Sequence, residues 1–231
     1  MNTIAIILAG GSGERFGGTL PKQFLEVAGR SLLEICLERF RDHPGIDGII
    51  LVSPADHLDM AKKTVAEGPF PKVIRVLAGG RTRQESSTIG SAAVPESAEN
   101  VLIHDAARAL VPAAIITRVL EALARSRAVM PVLPVDDTTV RVDEAGTVAA
   151  ILDRAKLRRV QTPQGFKLEI IRRAHELARA EGFGGAGDDC SLVLRYGLAP
   201  VVTVEGAAGN IKITYPQDLG IAEALLKIRN T

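Results

Sequence analysis

Aromatic side chains make up only 3% of this 231-residue chain, and its formal net charge is only +1. Few aromatics leave little for nucleic-acid bases to stack on, and a near-neutral chain carries no global electrostatic footprint, so no nucleic-acid partner is expected. Cysteine is rarer still. Cys36 and Cys190 are too few for a disulfide framework, no Cys/His cluster has metal-ligand spacing, and both thiols read as small buried apolar groups. Long hydrophobic runs are missing too: Ile4–Leu8 has no basic leader and breaks at Gly10-Gly11, too short for a signal core or a membrane span. A cytoplasmic protein with no membrane partner is expected. There are no repeats, low-complexity tracts or linker-like stretches, so residues 1–231 are expected to form a single domain.

What is present is a 46% hydrophobic chain, ample for a sizeable core, in which strand-like apolar runs alternate with helical periods. That rhythm predicts an α/β fold, a mostly parallel sheet with helices on its faces. Strands are expected at Ile4–Leu8, Gly48–Val52, Val73–Leu77, Val101–His104, Val129–Leu133 and Pro200–Glu205. Ser31 and Glu34 have capping-box spacing ahead of a stripe of Leu32, Leu33, Cys36, Leu37 and Phe40, so a helix begins there. Further helices are expected at 55–67, 84–93, 112–127, 167–181 and from about Pro216. The rhythm changes over 138–152. Val140 and Val142 alternate with polar neighbours, Asp143-Glu144-Ala145-Gly146 can turn, and Val148 with Ile151 resumes the alternation, which predicts an antiparallel hairpin arm. Two strands are not stable by themselves, so the arm packs on the body or, as favoured here, on a second subunit.

The first apolar run leads into Leu8-Ala9-Gly10-Gly11-Ser12-Gly13-Glu14-Arg15-Phe16-Gly17-Gly18, with Pro21-Lys22 shortly after. Glycines following a buried strand let backbone N–H groups approach an anion closely, and Arg15 and Lys22 add positive charge, which reads as a cradle for a nucleotide triphosphate. It is neither a P-loop, lacking Gly-Lys-Ser/Thr, nor a dinucleotide fingerprint, since Phe16 stands at the third glycine. A tight turn is the plainer alternative.

Ligands of open α/β sheets sit beyond the carboxyl ends of the strands. There, Gly79-Gly80-Arg81-Thr82-Arg83-Gln84-Glu85-Ser86 opens a helix with Arg83 and Ser86 at three-residue spacing, or is a solvated basic turn. Asp105, in His104-Asp105-Ala106-Ala107-Arg108, is placed to take Mg²⁺ alongside substrate phosphates, with a helix N-cap as the competing role. His104 reads as structural. Arg154, at the end of the hairpin, and Lys212, expected within a late strand, are candidates for a second anion site, although Arg154 serves equally as a surface ion pair with Asp153. The loop Gln161–Phe166 and the pair Asp188-Asp189 complete the polar clusters.

In their order along the chain, these motifs resemble the 2-C-methyl-D-erythritol 4-phosphate cytidylyltransferase family. Leu8–Arg15 with Pro21-Lys22-Gln23 is similar to the broader nucleotidyltransferase signature. His104–Arg108, Asp137-Thr138, Asp153-Arg154 with Leu157, Gln161–Gln164 and Asn210–Thr214 narrow it. The resemblance implies a Rossmann-like domain that uses CTP, Mg²⁺ and a polyol phosphate and releases pyrophosphate. It implies catalytic roles for Arg15, Lys22, Arg154 and Lys212, and nucleotide contacts from Ala9, Gly10, Gly11, Gly80, Arg83, Ser86 and Asp105, with Asp105 also on the metal. It further implies a homodimer joined through the arm, with Arg108, Thr138 and Arg154 serving the substrate at the partner's site. Ala109, Val140 and Gly187 depart from the proline, lysine and threonine usual at those positions. The rival readings are a ribitol-5-phosphate cytidylyltransferase and a non-catalytic nucleotide sensor; the sensor would have no use for two cations at a second anion site.

Overall fold

The computed structural model describes residues 2–10 and 20–229. In chain order the elements are β1 (Thr3–Leu8), β2 (Glu26–Val27), β3 (Arg30–Ser31), α1 (Leu32–Arg41), β4 (Gly48–Ser53), α2 (Leu58–Glu67), β5 (Val73–Ala78), α3 (Arg83–Ala92), β6 (Asn100–Asp105) and α4 (Ala113–Leu123). There follow β7 (Ala128–Pro134), β8 (Val140–Val142), β9 (Val148–Ile151), β10 (Arg158–Val160), β11 (Gln164–Lys167), α5 (Leu168–Glu181), α6 (Asp189–Arg195), β12 (Val201–Glu205) and α7 (Gln217–Arg229).

β1 is the centre of the sheet because all six of its residues are buried, with alternate side chains feeding two different cores. Ala5 and Ile7 pack with α1 and α4 on one face, while Ile4, Ile6 and Leu8 pack with α5 and α6 on the other. Each fully buried Ile or Leu stabilises the fold by about 2 kcal/mol relative to leaving it in water. β6 and β4 flank β1 in parallel, and β5 continues beyond β4. The expected helices and parallel strands are found within a few residues of their expected limits. The capping box is complete: Ser31 Oγ accepts from the Glu34 N–H while the Glu34 carboxylate accepts from the Ser31 N–H, a cap of about 1 kcal/mol.

Two segments differ from the sequence reading. Residues 164–167, expected to end a loop at Phe166 and begin a helix at Lys167, form β11, which runs antiparallel between β6 and β7. Only Phe166 of Gln-Gly-Phe-Lys is apolar, so no strand period is visible, and the strand is held instead by what surrounds it: a Cβ on Gly165 would lie 2.5 Å from Val119 of α4. The second correction concerns Lys212. It lies in no strand; residues 206–214 are irregular chain, tied down by side chains and by the Ile213 N–H to Ala107 carbonyl bond of 2.8 Å. Val129 and Val132 of β7 pair with β12 on one edge and with the chain of β10 and β11 on the other, which leaves no room for a strand at 209–214 alongside β7.

The arm forms as expected. β8 and β9 pair only with each other, Gly146 takes a positive φ of 79°, and Asp143 Oδ1 accepts from the Ala145 and Thr147 N–H groups. The pairs Val140–Ile151 and Val142–Val148 put four aliphatic side chains on one face, and all four are exposed. Among the described residues no helix is long and apolar enough to cross a membrane.

Candidate active site

The carboxyl ends of β1 and β6 meet because Leu8 pairs in register with Asp105, and Leu8 also pairs with Val52 of β4. The chains leaving these strands therefore share one edge of the sheet. Ala9 continues from β1, its N–H on the Val52 carbonyl at 2.8 Å and its own carbonyl accepting from Gln23 Nε2. Next to it, Ser86 Oγ accepts from the Gly80 N–H at 3.2 Å and donates to the Thr82 carbonyl at 3.0 Å. A Cβ on Gly10 would lie 3.3 Å from that same hydroxyl, and one on Gly79 would lie 2.7 Å from it. Small residues are required where the two loops approach. Gly10 of the first loop thus forms one cluster with Gly80 and Ser86 of a separate motif; Gly11 and Arg15 lie outside the described residues.

Asp105 holds the centre of the edge. Its Oδ1 accepts from Arg83 Nε at 2.9 Å and its Oδ2 from Lys212 Nζ at 2.8 Å, so β6, α3 and the late irregular segment are joined on one carboxylate. Burial pushes this carboxyl up, but the charges of Arg83 and Lys212 and their hydrogen bonds outweigh it and hold the group well below the ordinary carboxylate range. Asp105 stands before the short helical turn Ala106–Arg108 without capping it through its side chain, so the N-cap role does not hold. Arg83 extends the chain of charges inward, its Nη1 2.8 Å from Asp189 Oδ2. His104 is structural, as expected. Its Nε2–H donates to the Arg108 carbonyl and its Nδ1 accepts from Thr162, and burial lowers its pKa to about 3.

Lys22 Nζ donates to the Ile213 carbonyl at 2.8 Å, which brings the cation after the first loop beside the segment that carries Lys212. That segment is fixed from below: Asn210 donates to Gln161 Oε1 and to the Thr162 carbonyl, and Arg108 donates to the carbonyls of Asn210 and Val160. The arm residues stand apart. Thr138 is exposed, and exposed Arg154 donates to the Asp136 carbonyl at 2.8 Å. Asp153 caps the Ala155 N–H and lies 3.8 Å from Lys156, so the surface pair expected between Asp153 and Arg154 gives way to these contacts. Among the described residues no hydrogen bond or ion pair joins Arg154 to Asp105 or Lys212.

The family model described as 2-C-methyl-D-erythritol 4-phosphate cytidylyltransferase matches residues 3–228. The chain belongs to this family. A cytidylyltransferase of that name from Thermobifida fusca is 46% identical over 96% of this chain and 92% of its own length, and one from Desulforamulus reducens is 40% identical over 99% and 97%. A crystal structure of a 4-diphosphocytidyl-2C-methyl-D-erythritol synthase from Anaerococcus prevotii superposes with a TM-score of 0.87 at 31% identity, covering 98% of this chain and 96% of that one. The cytidylyltransferase of Thermus thermophilus gives 0.78 at 39% identity, covering 98% and 100%.

For a cytidylyltransferase-family chain, the sequence pointed to the loops at the strand ends but missed the polar groups beneath them. Asp189 was legible only as half of an acidic pair. The structure divides that pair: Asp188 caps α6 through the Ser191 N–H, and Asp189, 1% exposed, turns inward to Arg83, Ser87 and His175. Nothing in the spacing of Ser87 and His175, in helices 88 residues apart, marks them as neighbours.

Proposed function

We propose that this chain transfers the cytidylyl group of CTP to 2-C-methyl-D-erythritol 4-phosphate. A 4-phosphate oxygen bonds to the α-phosphorus, the bond from that phosphorus to the oxygen bridging to the β-phosphate breaks, and pyrophosphate leaves. Two anions must meet in line, so the protein's task is positioning and charge compensation. The observation that carries the reading is the convergence of Lys22, Lys212 and Asp105 at the carboxyl edge where β1 and β6 lie side by side. Lys22 and Arg15 are assigned to the α-phosphate. Ala9, Gly10, Gly11, Gly80, Arg83 and Ser86 are assigned to the nucleotide.

The chemistry at Asp105 suits Mg²⁺. Each carboxylate oxygen accepts one side-chain hydrogen bond, leaving acceptor capacity on both, and Mg²⁺ commonly takes only one or two protein carboxylates while phosphates and water complete its shell. Among the described residues no group of three or more His, Cys, Asp or Glu side chains forms a cage, which suits an ion that arrives with its nucleotide. Bound there, the ion would neutralise triphosphate charge.

Lys212 and Arg154 are assigned to the attacking phosphate, with Arg154, Thr138 and Arg108 acting toward a partner subunit's site. The exposed aliphatic face of Val140, Val142, Val148 and Ile151 supports a homodimer built through the arm, because a bare two-stranded ribbon needs something to pack on. Two free buried cysteines suit a reducing cytoplasm. Pyrophosphate release from CTP and Mg²⁺ with each of two acceptors tests the reading. Turnover preferring methylerythritol phosphate is expected; preference for ribitol 5-phosphate, or CTP binding with no release on either, would replace it with one of the rivals.

A further inference from the structure

Asp189 is 1% exposed, and it sits two bonds of a charge chain away from the centre of the site. Its Oδ2 accepts from Arg83 Nη1 at 2.8 Å and its Oδ1 from Ser87 Oγ, with His175 Nε2 3.7 Å from Oδ1. His175 is in turn held by Thr88 Oγ1 at 3.0 Å from Nδ1. Beneath the carboxylate, the Asp189 and Cys190 N–H groups both donate to Gln164 Oε1, at 3.1 and 3.0 Å. The acid is thus pinned by α3, α5 and β11 together.

This matters because of what a guanidinium does when free. It is a planar fork that prefers to take both oxygens of one carboxylate. Here it does not: Arg83 gives Asp105 a single bond through Nε and Asp189 a bond through Nη1, while Nη2, the nitrogen on the same edge as Nε, is buried without a hydrogen-bond partner among the described residues, so Oδ2 of Asp105 is left to Lys212. Lys212, Asp105, Arg83 and Asp189 alternate in charge along this path. Removing the last acid would free the guanidinium to turn until Nε and Nη2 together took both Asp105 oxygens, displacing the lysine.

We propose that Asp189 is a positioning residue for cytidylyl transfer: by holding Arg83 Nη1 it fixes the orientation of the guanidinium, so that Nη2 stays off Asp105 and the second carboxylate oxygen is left to Lys212 and to incoming ligands. The inference rests on the reading of Asp105 as part of the reaction centre. Asp189 acts only through Arg83, and this separates it from a residue that merely stabilises the fold.

The test is kcat and KM for CTP and 2-C-methyl-D-erythritol 4-phosphate with Mg²⁺, measured by pyrophosphate release on the full chain and on Asp189→Asn, Arg83→Gln, the double variant and Ala178→Gly. Misplacement of a reacting group without contact to it costs roughly tenfold to a hundredfold, so Asp189→Asn is expected to lose that much in kcat. The double variant should match Arg83→Gln alone, since residues acting in series do not add. Ala178→Gly, in buried α5 and outside the network, should lower the melting temperature and leave kcat near wild type. A wild-type kcat in Asp189→Asn with only a lowered melting temperature would overturn the proposal, as would losses that multiply in the double variant. If Asp189→Asn does not fold, the double variant still decides, because it removes both charges of the buried pair and leaves neither uncompensated. A wild-type chain that releases no pyrophosphate would bring down the cytidylyl-transfer reading and this inference with it, a pattern distinct from one defective variant.

Discussion

Arg83 and Arg154 are both arginines expected at the site, and the structure treats them oppositely. Arg83 is clamped between two buried carboxylates, its guanidinium pulled down by burial but held above its ordinary value by the charges of Asp189 and Asp105. Arg154 is exposed on the arm and bonded to one carbonyl. The difference is one of completeness within a single chain. At the sheet edge the counter-charges come from β6, α3, α6 and the segment after β12. On the arm, a cation bonded to a single carbonyl and an exposed aliphatic face point outward.

The comparison breaks first at Asp105. Asp105→Ala leaves Arg83 and Lys212 facing each other across a buried site, so it should cost about 3 kcal/mol in denaturant unfolding, while turnover falls at least about a hundredfold. Unchanged stability would mean that the three charges are not coupled in solution. On the arm, the corresponding substitution should spare the fold. Ile151→Asp puts a charge on the face proposed to pack between subunits and is expected to cost about 2 kcal/mol of association, read as a shift toward monomer in sedimentation, with a subunit melting curve moved little. A monomeric wild type would remove that expectation.

Acid sharpens the contrast on the buried side. Folded His104 stays neutral down to about pH 3, whereas the unfolded residue takes a proton near its ordinary value of 6.5. Protons therefore favour unfolding below pH 6.5, and the stability present above that value should fall by about 2 kcal/mol at pH 5. Denaturation midpoints at pH 7 and 5 in wild type and His104→Asn check this; His43 and His175, also lowered by burial, should leave the variant some residual slope. The smallest effect belongs to Arg154→Ala. Exposed and tied to one carbonyl, it should change stability by less than about 0.5 kcal/mol while raising KM for the polyol phosphate roughly tenfold, and unchanged KM would remove it from the second anion site.

Residues next to one another in the chain carried most of what was legible. The capping box at Ser31 and Glu34, the doubly buried run of β1, and the Asp143–Gly146 turn are local, and each formed where its spacing placed it. β11 was not legible because a central strand of Gln-Gly-Phe-Lys has no period of its own; its burial is imposed by α4 on one side and by β6 and β7 along its edges. Lys212 was expected within a strand and lies instead on irregular chain, its Nζ on Asp105, with that segment held by Asn210 and Gln161 where sheet bonds were anticipated. At Asp188 and Asp189 the sequence marked polar chemistry but not its division into cap and buried counter-ion.

What the sequence determined by itself was the succession of elements, the glycine positions where loops must approach closely, and the inventory of charges beyond the strand ends, since all of these follow from short-range sterics and hydrophobic period. Only the tertiary structure decided which charges face each other. Asp105 meets Lys212 across 107 residues and Arg83 meets Asp189 across 106, and such pairings depend on the order in which the strands lie side by side, a property no local pattern encodes.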